Sequence, residues 1–438
     1  MRFSLLIAVL LSTLLSTSIL AQEVNNPPKG FTAIFNGKDY NDWTGGLTRD
    51  PREVAALSTD KRAELDAEMK RGIDEHWHVD DGELVSDGKD PFLATKRDYG
   101  DIEMWVDWKI GPKGDSGIYL RGTPQVQIWD PSDENVKAHG APKGSGALWN
   151  NKKNERFPSE LADKPIGEWN RMYIRMVGPY VTVELNGKKV VDNVIMENYY
   201  KSEIPVYATG PIFLQTHGSE TRFRNVFVRE IPADEANRLL SEVGSDEKNF
   251  KTVFNGKDLS DWTGAVDDFE VQDGAIQCKR GRGGNLFTKD EFDNFVLRFE
   301  YKLPPGGNNG IALRAPNTQD QLAFAAMEIQ ILDDGAPKYA DLKDFQVHGS
   351  LYGLAPAARG YLRPTGEWNY QEVTLDGDKL KVQVNGYEVL NVNLADVSKK
   401  PMDGKEHPGS SRTSGHLGIC GHSDPVAIRN IRVKRLAE

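Results

Sequence analysis

Period-two alternation is the clearest pattern in the chain. Val181, Val183 and Leu185 stand between polar neighbours and run into Asn186-Gly187; Leu380, Val382 and Val384 do the same before Asn385-Gly386. Alternating positions face opposite sides of a strand, and Asn-Gly between two such runs predicts a two-residue hairpin, because both residues accept positive φ. IEMWVDWKI (102–110) and FVLRFEYKL (295–303) read as further strands, each leading through a Gly-rich loop to another. Many short antiparallel strands predict an all-β sandwich or jelly roll. Two stretches break the pattern. REVAALSTDKRAELDAEMKRGIDEHW (52–77) follows Pro51 and is rich in helix formers, which predicts a helical insertion over 50–76; PADEANRLLSEVGSDEKN (232–249) opens on Pro and predicts a short helix.

The same landmarks occur twice in the same order. FNGKDYNDWTG (35–45) returns as FNGKDLSDWTG (254–264), WHVDDG (77–82) as FEVQDG (269–274), DSGIYLRG (115–122) as NNGIALRA (308–315), and QVQIWD (125–130) as EIQILD (328–333). GEWN recurs at 167–170 and 366–369, ELNGKKVV (184–191) as QVNGYEVL (383–390), and FRNVFV (223–228) as IRNIRV (428–433). A copy of about 190 to 200 residues is far longer than a solenoid repeat and has the size of a whole domain. The chain therefore divides into a first domain over 29–231, a linker over 232–248 and a second domain over 249–438. The helical stretch at 50–76 has no counterpart in the second copy.

Residues 1–21 carry Arg2, an apolar run from Leu5 to Leu20, and Ala21 before a polar start, the layout of a cleaved secretory signal; serines and threonines interrupt the run, and no second long apolar segment follows. The expectation is an exported, periplasmic or secreted protein without a membrane span. A net charge of −11 argues against nucleic acid and anionic membranes as partners. Cys278 and Cys420 cannot build a disulfide framework, although an exported setting would let them pair.

The turn dipeptides Asn36-Gly37 and Asn255-Gly256, with their flanking aromatics, read as structural. The chemistry is better sought in polar residues on strands. Gln125, Gln127 and Asp130 in the first copy, and Glu328, Gln330 and Asp333 in the second, share one spacing, and the first two of each set share one face. Arg121 and Arg314 end a Gly-Ile-x-Leu run, a place for either a salt bridge or a hydroxyl clamp. His217 and His422 recur before the last strand, where loops gather at a sandwich mouth, and His348 lies near Tyr352. No His-x-x-x-His spacing is present, so a metal would have to be assembled from distant strands. GRGGN (281–285) lacks the strand-to-helix setting of a phosphate loop and reads as a turn.

As an ordered set, FNGKDLSDW, the Asp-Gly turn, NNGIALR, EIQILDD, GEWN and the closing FRN and IRN resemble the 3-keto-disaccharide hydrolase family, once per copy. The resemblance implies a concanavalin A-like jelly roll and cleavage of glycosides whose sugar is oxidised at C3. A C3 ketone acidifies the C2 hydrogen, so the chemistry needs a base, a group to stabilise the enolate, and an acid for the leaving oxygen, before water adds back. In these terms Glu328 is the candidate base, Arg314 and His422 stabilise the enolate or bind hydroxyls, and Asp333, His348 or Tyr352 supplies the proton. A divalent cation would have a role in polarising the ketone. Gln330, Arg121, Gln125, Gln127, Asp130, Trp129 and His217 complete the expected carbohydrate contacts. The first copy has Gln125 where the second has Glu328, and an amide cannot act as a base, so catalysis is expected in the second domain, with the first binding carbohydrate or using a different base. The rival reading is a non-catalytic tandem glycan-binding protein, with Trp129, Trp149 and Trp169 stacking on sugar rings.

Overall fold

The computed structural model describes residues 24–243 and 249–437. The signal-like segment lies outside them, as does the end of the linker. All named strand pairings are antiparallel and form four sheets, two in each half. In the first half the larger sheet runs Lys188–Ile195, Tyr180–Leu185, Asn170–Val177, Ile102–Ile110, Thr221–Glu230, Glu83–Ser86 and Trp77–Asp80, with Thr32–Ala33 paired onto Thr221–Glu230. Its second-half counterpart runs Tyr387–Asn393, Lys379–Val384, Trp368–Asp376, Phe295–Lys302, Ala427–Arg435, Ala275–Cys278 and Phe269–Gln272, with Lys251–Thr252 on Ala427–Arg435. The smaller sheets also match. Trp43–Gly46, Phe92–Thr95, Phe213–Leu214, Asp115–Leu120 and Thr123–Trp129 answer Trp262–Gly264, Asn285–Phe292, Gly415–Gly421, Asn308–Ala315 and Met327–Leu332. The protein is thus two tandem jelly-roll sandwiches of one topology.

The repeated motifs are the joints of this fold. Asn186-Gly187 and Asn385-Gly386 take positive φ at both residues, and their side-chain amides donate to the GEWN asparagines Asn170 and Asn369, both at 2.8 Å. Asn36 and Asn255 accept from the amides two and three residues on, while Phe35, Trp43, Phe254 and Trp262 are buried in the core. Asn225 and Asn430, the Asn of FRN and IRN, sit at positive φ in a bulge and donate to Asp107 and Glu300, each at 2.7 Å. Between the sheets, Met104, Val106 and Phe223 face Leu93, Ile118 and Leu214 in the first half, and Leu297, Phe299 and Ile431 face Leu286, Ile311 and Ile419 in the second.

The two predicted helical stretches are helical. Residues 50–76 form Pro51–Ala55, capped by the Asp50 carboxylate, and Thr59–His76; Ala233–Glu242 lies between the halves. Met69 and Ile73 are the buried residues of the long helix, and Met69 packs so closely over Gly45 that a side chain there would collide with it. No helix among the described residues is long and apolar enough to cross a membrane. Cys278 and Cys420 remain free thiols, so the expected option of a disulfide is not taken.

The halves are joined at a polar seam. The Asp101 carboxylate accepts from Arg121 at 3.2 Å and from the Gly178 amide at 2.8 Å on its own side, and from Arg363 of the second half at 3.1 Å. Arg121 is 2% exposed and also donates to the backbone carbonyls of Gly100, Gly178 and Tyr207 and to the Tyr387 hydroxyl. This corrects the expectation that Arg121 contacts sugar: its five donors meet the seam. Asp101→Ala would leave two largely buried guanidinium groups without their carboxylate, a loss of about 3 kcal/mol. Calorimetric unfolding should show a lowered midpoint, and an unchanged midpoint would mean that this triad does not hold the halves together.

Candidate active site

The outer face of each smaller sheet follows from the period of its strands. In Met327–Leu332, Ile329 and Ile331 enter the core, which turns Glu328 and Gln330 outward. In Gly415–Gly421, Leu417 and Ile419 enter the core, which turns Gly418, Cys420 and the following His422 outward; in Asn308–Ala315 the outward positions are Asn308, Gly310 and Ala312. They meet in a cavity of about 510 Å³, whose lining includes Glu328, Gln330, Tyr352, His422, Asn308 and Lys405. A side chain at Gly310 would collide with the Glu328 carboxylate, so this glycine is needed for space.

Glu328 is 7% exposed, and its carboxylate lies 3.5 Å from His422 Nε2. The hydrogen bond to Glu328 raises the His422 pKa against the opposing effect of burial, which favours the imidazolium beside the carboxylate. Burial, reinforced by the Glu328 charge, pushes the Cys420 thiol well up, so it stays protonated. Gln346 Nε2 donates to the Tyr352 hydroxyl at 3.3 Å, which leaves the phenolic proton free to be given away.

Three candidates of the second half lie elsewhere. His348 is enclosed in the core, where its Nδ1 accepts from the Leu332 amide at 3.0 Å and its Nε2 meets the Tyr301 hydroxyl at 2.7 Å. Burial drives its pKa down to about 3, so it is a neutral structural ring and has no proton to give at neutral pH. Asp333 clasps a turn, accepting from the Gly306 amide at 2.7 Å. Arg314, 3% exposed at positive φ, donates to the carbonyls of Asp293, Arg412 and Gly377 and to the Asn294 side chain. All three are corrected from chemistry to architecture. The spacing that paired Asp333 with Glu328 and Gln330 ends where the strand does.

The first half has a smaller cavity of about 310 Å³, lined by Gln125, Gln127, Trp129, Trp149, Gln215 and His217 among others. Gln125 donates to Gln127, Gln127 donates to Asp115 Oδ1 at 2.6 Å, and Asp115 Oδ2 pairs with His217 Nδ1 at 2.9 Å. Asp115 occupies the strand position of Asn308. The carboxylate beside the histidine is therefore still present but comes from the neighbouring strand. Sequence reasoning passed over Asp115 and Asn308; the available signal was the paired exchange Gln125/Glu328 and Asp115/Asn308 inside two quoted repeats. Asp130 holds a turn through the amides of Lys113 and Ser132, each at 2.8 Å, which corrects its assignment to sugar binding. Trp129 forms a buried wall, its indole nitrogen donating to Gly144 at 2.8 Å. Trp169, just ahead of the strand Asn170–Val177, packs beneath Arg224, whose guanidinium is 4.0 Å from its ring centre, and lines neither cavity.

A divalent cation would find one carboxylate and one imidazole at the floor of the second cavity. No group of three or more His, Cys, Asp or Glu side chains able to hold a metal occurs among the described residues, so this donor set does not fit a protein-built metal cage.

The sequence profile of the 3-keto-alpha-glucoside-1,2-lyase-like domain matches residues 30–229 and again 249–434. A curated 3-keto-disaccharide hydrolase of Bacteroides thetaiotaomicron is 28% identical over 250 residues, covering 48% of this chain and 86% of that protein. Two solved structures of candidate glycosyl hydrolases from Parabacteroides distasonis are 26% and 24% identical, cover 43% and 44% of this chain and 99% of their own, and give TM-scores of 0.39 and 0.40.

His422 should titrate above the ordinary histidine value of about 6.5. Because its folded pKa is the raised one, the pair contributes its full stabilisation below about pH 6.5 and loses it as pH rises through the folded value. In a histidine NMR titration, Glu328→Gln should lower the His422 midpoint and leave His217 in place; a His422 midpoint indifferent to that change would break the pairing.

Proposed function

The chain belongs to the family of 3-keto-alpha-glucoside-1,2-lyase-like domains, present twice in tandem, and from that premise we propose that its second half cleaves the glycosidic bond of 3-keto-glycosides by elimination followed by hydration. The observation that carries this reading is the Glu328–His422 pair on the floor of the 510 Å³ cavity. A base that removes a C–H proton must be unprotonated, sheltered from water and close to a cation that can face the developing negative charge. Glu328 has the shelter and the neighbour: it is almost wholly buried, and the imidazole beside it is favoured in the charged form.

In the proposed reaction Glu328 takes the C2 proton, and the electron pair of the C2–H bond moves into an enolate conjugated with the C3 ketone. Once Glu328 is neutral, the His422 imidazolium faces the enolate oxygen in place of its lost partner. The enolate then expels the C1 leaving group, forming a C1–C2 double bond, and Tyr352 gives its proton to the departing oxygen. Water adds across that double bond, with its hydroxyl at C1 and its proton at C2, and the proton held by Glu328 passes through solvent to the Tyr352 phenolate, so both groups are restored and the net change is hydrolysis. Gln330 and Asn308, both lining the cavity, have side-chain oxygens buried without a partner and are the groups that would orient sugar hydroxyls. The leader-like residues 1–21 support the reading that the protein is exported and acts outside the cytoplasm.

Two measurements test this reading on the full chain with a 3-keto α-glucoside. Glu328→Gln is expected to lower kcat by roughly 10²- to 10⁴-fold with little change in KM. Substrate carrying deuterium at C2 should lose the label to solvent during turnover by the parent protein. Retention of the label, or full activity in the variant, would exclude elimination initiated by Glu328.

A further inference from the structure

We infer that the cavity of the first half is a second carbohydrate site, one that holds an unoxidised, hydroxyl-bearing sugar ring without cleaving it. The inference rests on the reading of this chain as carbohydrate-active, and its grounds lie in how the first cavity departs from the second.

The position of the base holds Gln125, which cannot take a proton. The carboxylate that remains, Asp115, has both oxygens engaged, one by Gln127 and one by His217. This is a rigid hydrogen-bonding chain, Gln125 to Gln127 to Asp115 to His217, suited to binding hydroxyls and unsuited to collecting a proton from carbon.

The second departure is an unanswered acceptor. Gln215 replaces Cys420, is 93% buried, lines the cavity, and has a side-chain oxygen without a hydrogen-bond partner. A buried acceptor left unpaired is costly, and a ligand that donates to it recovers that cost. With C3 seated against this oxygen, the C3 hydroxyl of an unoxidised sugar donates to it, whereas the C3 ketone of an oxidised one only accepts. The site should therefore prefer the unoxidised ring, as sites built to bond a hydroxyl discriminate strongly against ligands that lack one.

The third departure is aromatic. Trp149 and Tyr199 stand at this cavity, Tyr199 is 51% exposed, and Trp149 is braced by Arg156 4.1 Å from its ring centre and by Trp129 edge-on at 5.7 Å. A braced, partly exposed indole is a ready platform for the apolar face of a sugar. No tryptophan lines the second cavity.

That difference gives a selective readout. In the full chain, titration with unoxidised maltose should change tryptophan fluorescence saturably. The 3-keto form of the same sugar should bind at least tenfold more weakly by this signal. Gln215→Met, which keeps bulk and removes the acceptor, should weaken maltose binding at least tenfold; should that variant fold poorly, Trp149→Ala, followed by titration calorimetry because it removes the reporting indole, should weaken maltose binding at least tenfold as well. No saturable change with maltose, or equal affinity for both sugars, or Gln215→Met binding as the parent does, would overturn the proposal. Turnover of a 3-keto glycoside by the parent is assayed separately. Turnover without the fluorescence response removes this site and spares the proposed hydrolase activity; the response without turnover does the reverse.

Discussion

The structure turns on one close approach: a buried carboxylate laid over a glycine. Glu328 projects from the outer face of a five-stranded sheet onto the place where Gly310 has no side chain, and there it reaches His422, just past the end of the strand beyond. Such an arrangement needs three strands in fixed register, because a slip of one residue would turn the glutamate into the core and an isoleucine into the cavity. The eight-stranded sheet behind supplies the apolar surface against which that register is fixed. The same geometry recurs in the first half, where Gly117 makes room for Gln125 and Gln215.

The two halves close off the rest of that outer face by different means. In the first, the inserted helix Thr59–His76 lies on the edge strand through Met69, and Phe213 fills the face opposite Ala94. In the second, the large and small residues change places, with Phe287 opposite Gly418, and a short helix at Leu322–Ala325 packs over them. Exchange of bulk between paired neighbours keeps the packed volume while moving the walls. The cavities that result have unlike size and polarity: one is larger and lined with amides and a glutamate, and the other is smaller and aromatic.

Much of the fold was legible in the chain because repetition and alternation are local. Asn-Gly and Asp-Gly were visible as turn signals, and in the folded protein the Asn-Gly asparagines bond the GEWN asparagines at the ends of the strands. The site was legible only in part. Glu328, Gln330, Tyr352 and His422 do meet at one cavity, yet Arg314, Asp333 and His348 look equally suitable in a linear sequence. What separates them is how each buried polar group is satisfied: Arg314 by backbone carbonyls, Asp333 by a turn amide, His348 by Tyr301 and Leu332. Such partners lie tens of residues away, so no spacing rule reports them.

The sequence by itself determined that two copies of one β-sandwich follow each other, where helices interrupt them, and that the copies differ at Gln125 and Glu328, since each of these is a matter of residue type and period. Only the tertiary structure decided what those differences mean. It brought Asp115 from an adjacent strand to the histidine that Gln125 cannot serve, and it set Arg121 into the seam with Arg363 and Asp101. The physical reason is that charge and hydrogen bonding act over a few ångströms in space, and strands remote in sequence become neighbours only when the sheets have paired.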